Sequence, residues 1–356
     1  MKSIIYILTI FICFNTSAIN GSVEVAKVPL SKLKLKEVLN TSGVVWSFSF
    51  INSRELLYTI RDGKLFHLNM ETNTTTRLSN PNVHAKGQGG LLDVQYYKVR
   101  NKFYIYVTFS EKKSDVVTTS LARASFEIIK GIPTTGKWEV LFSANVKSST
   151  SKHFGSRLVR SGDYLFMGIG DRGHREYAQD KNLHNGKILK LTMEGKVQLW
   201  SIGHRNPQGM DIDPVSGDLY SCEFGPRGGD ELNLVIKGKN YGWPLTTYGS
   251  EYWGPSIGTT QMKGMERPIM YWTPSISPSG MAFYTGDKVK QWKNNLFLAN
   301  LSSRHLRRLV LKDKKVIEQE ILLSDFKQRI RHVRSAPDGY LYISTDSGKI
   351  IRISYE

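Results

Sequence analysis

Pro337-Asp338-Gly339-Tyr340-Leu341-Tyr342-Ile343-Ser344-Thr345-Asp346 opens on a turn and continues with alternate side chains apolar. A glycine turn followed by period-two alternation is a β-strand leaving a tight connection. The same phrase stands at Asp62-Gly63-Lys64-Leu65-Phe66, Ser161-Gly162-Asp163-Tyr164-Leu165-Phe166 and Ser216-Gly217-Asp218-Leu219-Tyr220, and without glycine at Asn294-Asn295-Leu296-Phe297. The glycine-bearing copies recur near whole multiples of about 50–60 residues, which suits propeller blades of four strands each. A pair of β-sandwiches is the alternative, but it leaves that long period without a cause. Helical periodicity is nearly absent. An all-β, six-bladed β-propeller with four-stranded antiparallel blades is therefore expected.

The 356 residues are 40% hydrophobic and 22% charged, enough apolar residue for a sizeable core. Disorder, collagen and coiled coil are excluded on the same ground. At the start, Lys2 precedes an apolar run from Ile4 to Phe14, and Thr16-Ser17-Ala18 supplies small residues. Residues 1–18 therefore read as a secretory signal, and 19–356 as one exported domain, periplasmic or secreted. No later run is long enough for a membrane span. Of Cys13 and Cys222, only Cys222 remains after cleavage, so no intrachain disulfide is possible.

Forty-nine Lys and Arg against 31 Asp and Glu give +18. The densest basic clusters, Arg304 to Lys315 and Lys327 to Arg334, lack the interleaved aromatics of a nucleic-acid surface. A small polyanionic ligand, or simple solubility at an anionic envelope surface, explains the charge better than DNA or RNA.

Loops of unusual composition fall at 81–93, 151–157, 170–187, 202–209, 223–244 and 327–334. In a propeller, loops from successive blades converge at the channel. His153, two residues before a glycine, is placed to act as a general base because its ordinary pKa lies near neutrality. Arg205 and Asn206 put a fixed cation and a two-way amide into one turn. Arg329 and Arg331 flank one residue, so both guanidinium groups face the same way in a strand and want an anion between them. The loop from Glu223 to Glu231, rich in glycine and proline, frees backbone carbonyls. With the Glu231 carboxylate these suit the oxygen shell of Ca²⁺. No GxGxxG, P-loop, zinc-spaced His/Cys set or serine elbow is present, which disfavours nicotinamide, ATP, zinc and serine-hydrolase chemistry.

Nine segments in order resemble the soluble pyrroloquinoline quinone (PQQ) dependent aldose sugar dehydrogenases. They are GQGGLLDV at 87–94, HFGSRL at 153–158, GKILKL at 186–191, RNPQGM at 205–210 and GPRGGDELN at 225–233. GKNYGWP at 238–244, SGMAFY at 279–284, RIRHVR at 329–334 and PDGYLYISTD at 337–346 complete the set. The resemblance implies oxidation of an aldose C1 hydroxyl to the lactone by hydride transfer to calcium-bound PQQ, with His153 as base. It places Gln88, Arg205, Asn206, Tyr252, Ser302, Arg329 and Arg331 at cofactor-contact positions and Trp272 on the sugar side. It gives one calcium to the carbonyls of Gly225 and Pro226 and a second to Glu231 and Tyr241.

The chain departs from the family pattern at four positions. Ser302 stands where a lysine is usual, and Lys152 replaces the acidic or amide residue before the base. Phe224 replaces His or Gln, and Glu176 falls near a position that is Gln in some relatives. Ser302 and Lys152 are what point to the alternative, a redox-inactive propeller that binds a ligand or protein. Neither the sugar nor the electron acceptor has a readable signature.

Overall fold

In the computed structural model, residue 23 and residues 25–355 are described, so the signal sequence expected at 1–18 lies outside them. Six antiparallel sheets follow one another along the chain, each starting from an innermost strand. Those strands are Val45–Phe50, Leu91–Val99, Leu158–Ser161, Pro207–Ile212, Pro278–Phe283 and Ile330–Ser335. They touch in a closed ring, first against second and sixth against first, around the channel. This is the six-bladed propeller expected from the sequence.

The ring closes by exchange of chain ends. Leu33–Asn40 is the outermost strand of the sixth blade, antiparallel to Lys349–Tyr355, with Leu33 opposite Tyr355 and Asn40 opposite Lys349. Val25–Lys27 adds a parallel fifth strand to the fifth blade, along Lys315–Leu322. Blades pack face to face through alternate apolar side chains. Between the fifth and sixth, fully buried Trp292, Phe297, Leu341, Ile343 and Ile353 share one cluster. Each such side chain stabilises by about 1.5–3 kcal/mol.

The turn phrase has one structural role in four places and another in the fifth. Gly162, Gly217, Asn294 and Gly339 follow the innermost strand of their blades, but Gly63 joins the second and third strands of the first blade. Any tight hairpin accepts the same turn residues, so the phrase marks hairpins rather than blade phase.

A repeat that the sequence does not display sits in the innermost strands. Five of the six slip register near their start, at Val45/Ser47, Leu91/Val94, Pro207/Gly209, Pro278/Gly280 and Ile330/His332. A bulge leaves its extra residue unpaired and re-aims the side chain. The re-aimed residues include Trp46, Leu92, Gln208 and Arg331, all of which line one cavity at the channel mouth.

Below that cavity the channel is plugged by Arg157, which is fully buried. Its Nη1 lies 3.1 Å from Asp93 Oδ1, 3.5 Å from Ser47 Oγ and 3.4 Å from His332 Nε2. Nε donates to the Gln208 carbonyl at 2.9 Å and Nη2 to the Ser279 carbonyl at 3.1 Å. The guanidinium also stacks over Trp46 at 4.4 Å. One side chain thus reaches every other blade, which the five-donor fork of arginine permits. Burial pulls its pKa down to about 10, which leaves it charged at neutral pH.

Candidate active site at the channel mouth

The cavity above the plug, about 130 Å³, is lined by Trp46, Arg61, Gln88, Asn206, Gln208, Phe224, Arg329 and Arg331 among others. Segments from far apart in the sequence meet there, as the expected convergence of loops requires.

His153 precedes Phe154 of the cavity wall and has φ at 54°, a left-handed conformation unusual for a residue with a side chain. Four contacts hold it there. Gln88 Oε1 accepts its backbone N–H at 2.8 Å. Arg172 donates to the carbonyls of Lys152, Thr150 and Val117, fixing the approach. The Arg172 guanidinium lies over the Phe154 ring at 3.5 Å. Asp171 Oδ1 accepts from His153 Nδ1 at 2.7 Å.

Every other neighbour of the Asp171 carboxylate is also a donor. Gly173 N–H reaches Oδ1 at 2.7 Å and Trp243 Nε1–H reaches Oδ2 at 2.9 Å. A carboxylate only accepts, so Nδ1 of His153 must carry the proton and Nε2 is the free basic nitrogen. Burial pushes the Asp171 pKa up, but the His153 hydrogen bond and nearby charge outweigh it, leaving the group below the ordinary carboxylate value. Burial lowers the His153 pKa below 6.5; Asp171 opposes this, while Arg205 and Lys152 add to it. The imidazole is therefore neutral at physiological pH, the state that general-base chemistry requires. Position 152, where the family pattern has an acidic or amide residue, does not orient the imidazole. The orienting group is Asp171 with Trp243 behind it, and the only trace in sequence is that 170–187 is an unusual loop.

Arg205 is buried. Its backbone N–H donates to Glu223 Oε2 at 2.6 Å and its Nη1 to the Phe224 carbonyl at 3.0 Å. Its guanidinium lies over Trp243 at 5.4 Å. Among the described residues, its buried Nε has no hydrogen-bond partner. Asn206 Oδ1 accepts from Gly155 N–H at 3.1 Å.

Arg329 and Arg331 converge, but on Asp346. Nε of Arg329 lies 2.8 Å from Oδ2, and Nε of Arg331 2.7 Å from Oδ1. Arg329 precedes the strand, so it is the bulge after Ile330, rather than plain alternation, that brings the two together. Arg61 joins them, its pKa lowered by burial and by Arg331. One carboxylate among three cations leaves net positive charge at the cavity.

The remaining expected residues divide. The backbone N–H of Gly225 donates to Asp230 Oδ1 at 2.9 Å, and no hydrogen bond reaches the carbonyls of Gly225 or Pro226 among the described residues. Glu231 and Tyr241 border a small space of about 10 Å³ with Arg205 and Glu223. Burial, then the neighbouring Glu223, holds the Glu231 carboxyl well above its ordinary pKa. The Tyr241 hydroxyl is occupied, donating to the Leu234 carbonyl and accepting from Ile236 N–H, so only its backbone oxygen is left for an ion. Among the described residues no cluster of three or more His, Cys, Asp or Glu side chains is arranged for a metal.

Ser302 is exposed and donates to the Ser275 carbonyl at 3.1 Å. Tyr252 is 68% exposed and does not line the cavity. Its neighbour Glu251 ties the loop to Arg175 at 2.6 Å. Trp272 lies on the outermost strand of the fourth blade, Met270–Trp272, buried in the core with Nε1 donating to Gln319 Oε1 at 3.2 Å. Its apolar bulk contributes to blade packing, and it does not line the channel-mouth cavity. Glu176 is exposed, beside His174.

The fold is a six-bladed propeller, and an oriented imidazole and several cations gather near one end of its channel. The glucose/sorbosone dehydrogenase family model matches residues 43–352, and the chain belongs to that family. It is 38% identical to an aldose sugar dehydrogenase of Escherichia coli over 335 residues, 87% of this chain and 89% of that protein. The crystal structure of the soluble E. coli aldose sugar dehydrogenase in its apo form is similar with a TM-score of 0.85 at 36% identity, covering 91% of this chain and all of that one. The PQQ-bound form of the Streptomyces coelicolor aldose sugar dehydrogenase is similar with a TM-score of 0.76 at 25% identity, covering 92% and 100%.

Proposed function

We propose that this chain oxidises the C1 hydroxyl of an aldose to the lactone, with PQQ at the channel mouth and His153 as general base. The observation that carries the reading is the Trp243–Asp171–His153 relay, which leaves Nε2 of a neutral imidazole free on the segment whose Phe154 and Ser156 line the cation-bearing cavity. A tricarboxylate fits that donor set: Arg61, Arg329 and Arg331 supply net charge, and the buried Nε of Arg205 lacks a partner. When bound, PQQ supplies a quinone that accepts hydride.

The chain's own residues do the rest. Nε2 of His153 takes the hydroxyl proton, and Asp171 stabilises the imidazolium that forms. Gln88 and Arg172 hold the left-handed backbone from which the imidazole projects. Phe224 and Trp46 wall the site with apolar surface, which strengthens the charge interactions within it.

Calcium fits the carbonyls of Gly225 and Pro226, and the Glu231 carboxyl with the Tyr241 carbonyl. A cation there would supply Lewis-acid stabilisation near the quinone, and at Glu231 it would relieve two crowded carboxyl groups. The signal expected at residues 1–18 supports export to the periplasm or medium.

The testing experiment is reconstitution. Apoprotein receives PQQ and Ca²⁺, then glucose and a dye acceptor. Sugar-dependent dye reduction that vanishes without PQQ is the expected result. Absence of PQQ binding would remove the reading and leave a propeller that binds something else.

A further inference from the structure

A second concavity is bordered by residues 149–152, the segment that leads into His153. It is about 640 Å³ and is lined by His84, Lys86, Lys112, Asp115, Val117, Ser149, Thr150, Ser151 and Lys152. That volume lies in the range of about 300–1,000 Å³ usual for small-molecule sites. Three lysines face one aspartate, and none of these four makes an ion pair among the described residues. Elsewhere lysines do find acids, as Lys113 with Glu111 at 3.3 Å and Lys349 with Glu37 at 2.6 Å.

The groove is joined to the reaction centre. The Ser151 carbonyl accepts from Gln88 N–H at 2.8 Å, and the Gln88 side chain in turn holds the His153 backbone. Lys152 is adjacent to the base and close enough for its charge to act on the imidazole. The arginines of the channel mouth face a different cavity, so the lysines are not needed for the cofactor. We propose that this groove selects aldoses carrying an anionic group, a carboxylate or a phosphate, remote from C1. The inference rests on the aldose dehydrogenase reading and deepens it.

In a hexopyranose, C6 is carried by C5, which joins the anomeric carbon through the ring oxygen, so a C6 carboxylate or phosphate projects from the ring a few ångströms from the C1 hydroxyl. On this proposal that charge sits toward Lys152, the neighbour of His153 in the chain, while the C1 hydroxyl meets Nε2 of His153. The reaction is unchanged: C1 loses a hydride and its hydroxyl loses a proton. An acidic protein surface fits less well, because the lysines line a concavity that runs into the catalytic segment.

Two measurements test this. With the enzyme reconstituted with PQQ and Ca²⁺, kcat/KM is compared for glucose, glucuronate and glucose 6-phosphate at low and high NaCl. The anionic sugars are expected to exceed glucose at least about tenfold at low salt, through KM. The advantage should shrink to within about threefold near 1 M salt, where the screening length is about 3 Å. Lys86→Gln/Lys112→Gln should lower the ratio of anionic to neutral kcat/KM about tenfold. The better of the two anionic sugars identifies carboxylate or phosphate. Glucose equal to both, or a ratio that survives the double substitution, overturns the inference while leaving the dehydrogenase reading intact.

The second readout is calorimetric binding of glucuronate and glucose 6-phosphate to the apoprotein. If no sugar is oxidised, yet one of them binds and the double variant abolishes that binding, the dehydrogenase reading falls and the anion site stands. Absence of both turnover and binding overturns both.

Discussion

Asp171→Asn isolates the orientation of the base. The Asp171 carboxylate accepts from His153 Nδ1, Gly173 N–H and Trp243 Nε1–H, so three donors surround two acceptor atoms. Asparagine supplies one oxygen and one NH₂ group. If its oxygen faces His153 and Gly173, the NH₂ meets the indole N–H of Trp243. If the amide turns over, the NH₂ meets Gly173 and forces His153 to the tautomer with Nε2 protonated, which is not a base. Leaving a buried donor unmatched costs about 1–3 kcal/mol. The wrong tautomer costs roughly 10²–10⁴ in turnover, the scale known for the equivalent carboxylate of serine proteases.

Asp171→Asn is therefore expected to lower kcat at least about 100-fold with PQQ binding retained, measured by dye reduction and by cofactor titration. Trp243→Phe removes the competing indole donor while keeping an aromatic ring, and alone should cost less than about fivefold. In the double variant the NH₂ of the introduced asparagine faces no donor and its oxygen can return to His153, so much of the loss should be recovered. Such non-additivity is what a shared hydrogen-bond network predicts. Asp171→Asn within about threefold of wild type, or losses that simply add in the double variant, would refute the reasoning.

Other expectations follow from the same geometry. The kcat/KM profile should hold level below pH 6.5 and fall as pH drops through the lowered His153 pKa. Since Asp171 raises that pKa, the acid limb of Asp171→Asn should move to still lower pH. Arg331→Ala should weaken PQQ loading and also lower the unfolding free energy by about 3 kcal/mol, because Asp346 loses its buried partner. Arg329→Ala, with a side chain 46% exposed, should weaken loading with little thermal shift. Arg157→Met should destabilise by about 3–5 kcal/mol in denaturant unfolding, since it strands the buried Asp93. If calcium binds at Glu231, Ca²⁺ at 100 times its Kd should stabilise the apoprotein by about 2.7 kcal/mol, and Glu231→Gln should abolish much of that shift. No calcium-dependent rise in Tm would remove Glu231 as a ligand.

The fold was legible because blades are local: each is a run of short strands whose alternation and turns are written in adjacent residues. Loops bearing His153, Arg205 and Arg331 stood out because glycine-rich, polar segments are costly to keep without a task. Trp272 is harder to read, because its residue type is shared by sugar platforms and by blade cores. Gly63 misled for a like reason, since a turn does not state which two strands it joins.

Sequence by itself determined the strand repeat and the positive charge, and it singled out His153 as the candidate base. Tertiary structure decided how these combine, since bulges and ring closure bring together residues that no local pattern links. Asp171 reaches His153 only because the third blade's loops fold back on one another, and Trp243 arrives from the fourth blade. Arg329 and Arg331 read as a vacant anion clamp in sequence, yet in space Asp346 partly neutralises them. Hydrogen bonds and ion pairs depend on distances of a few ångströms between remote segments, and only closure of all six blades around Arg157 sets those distances.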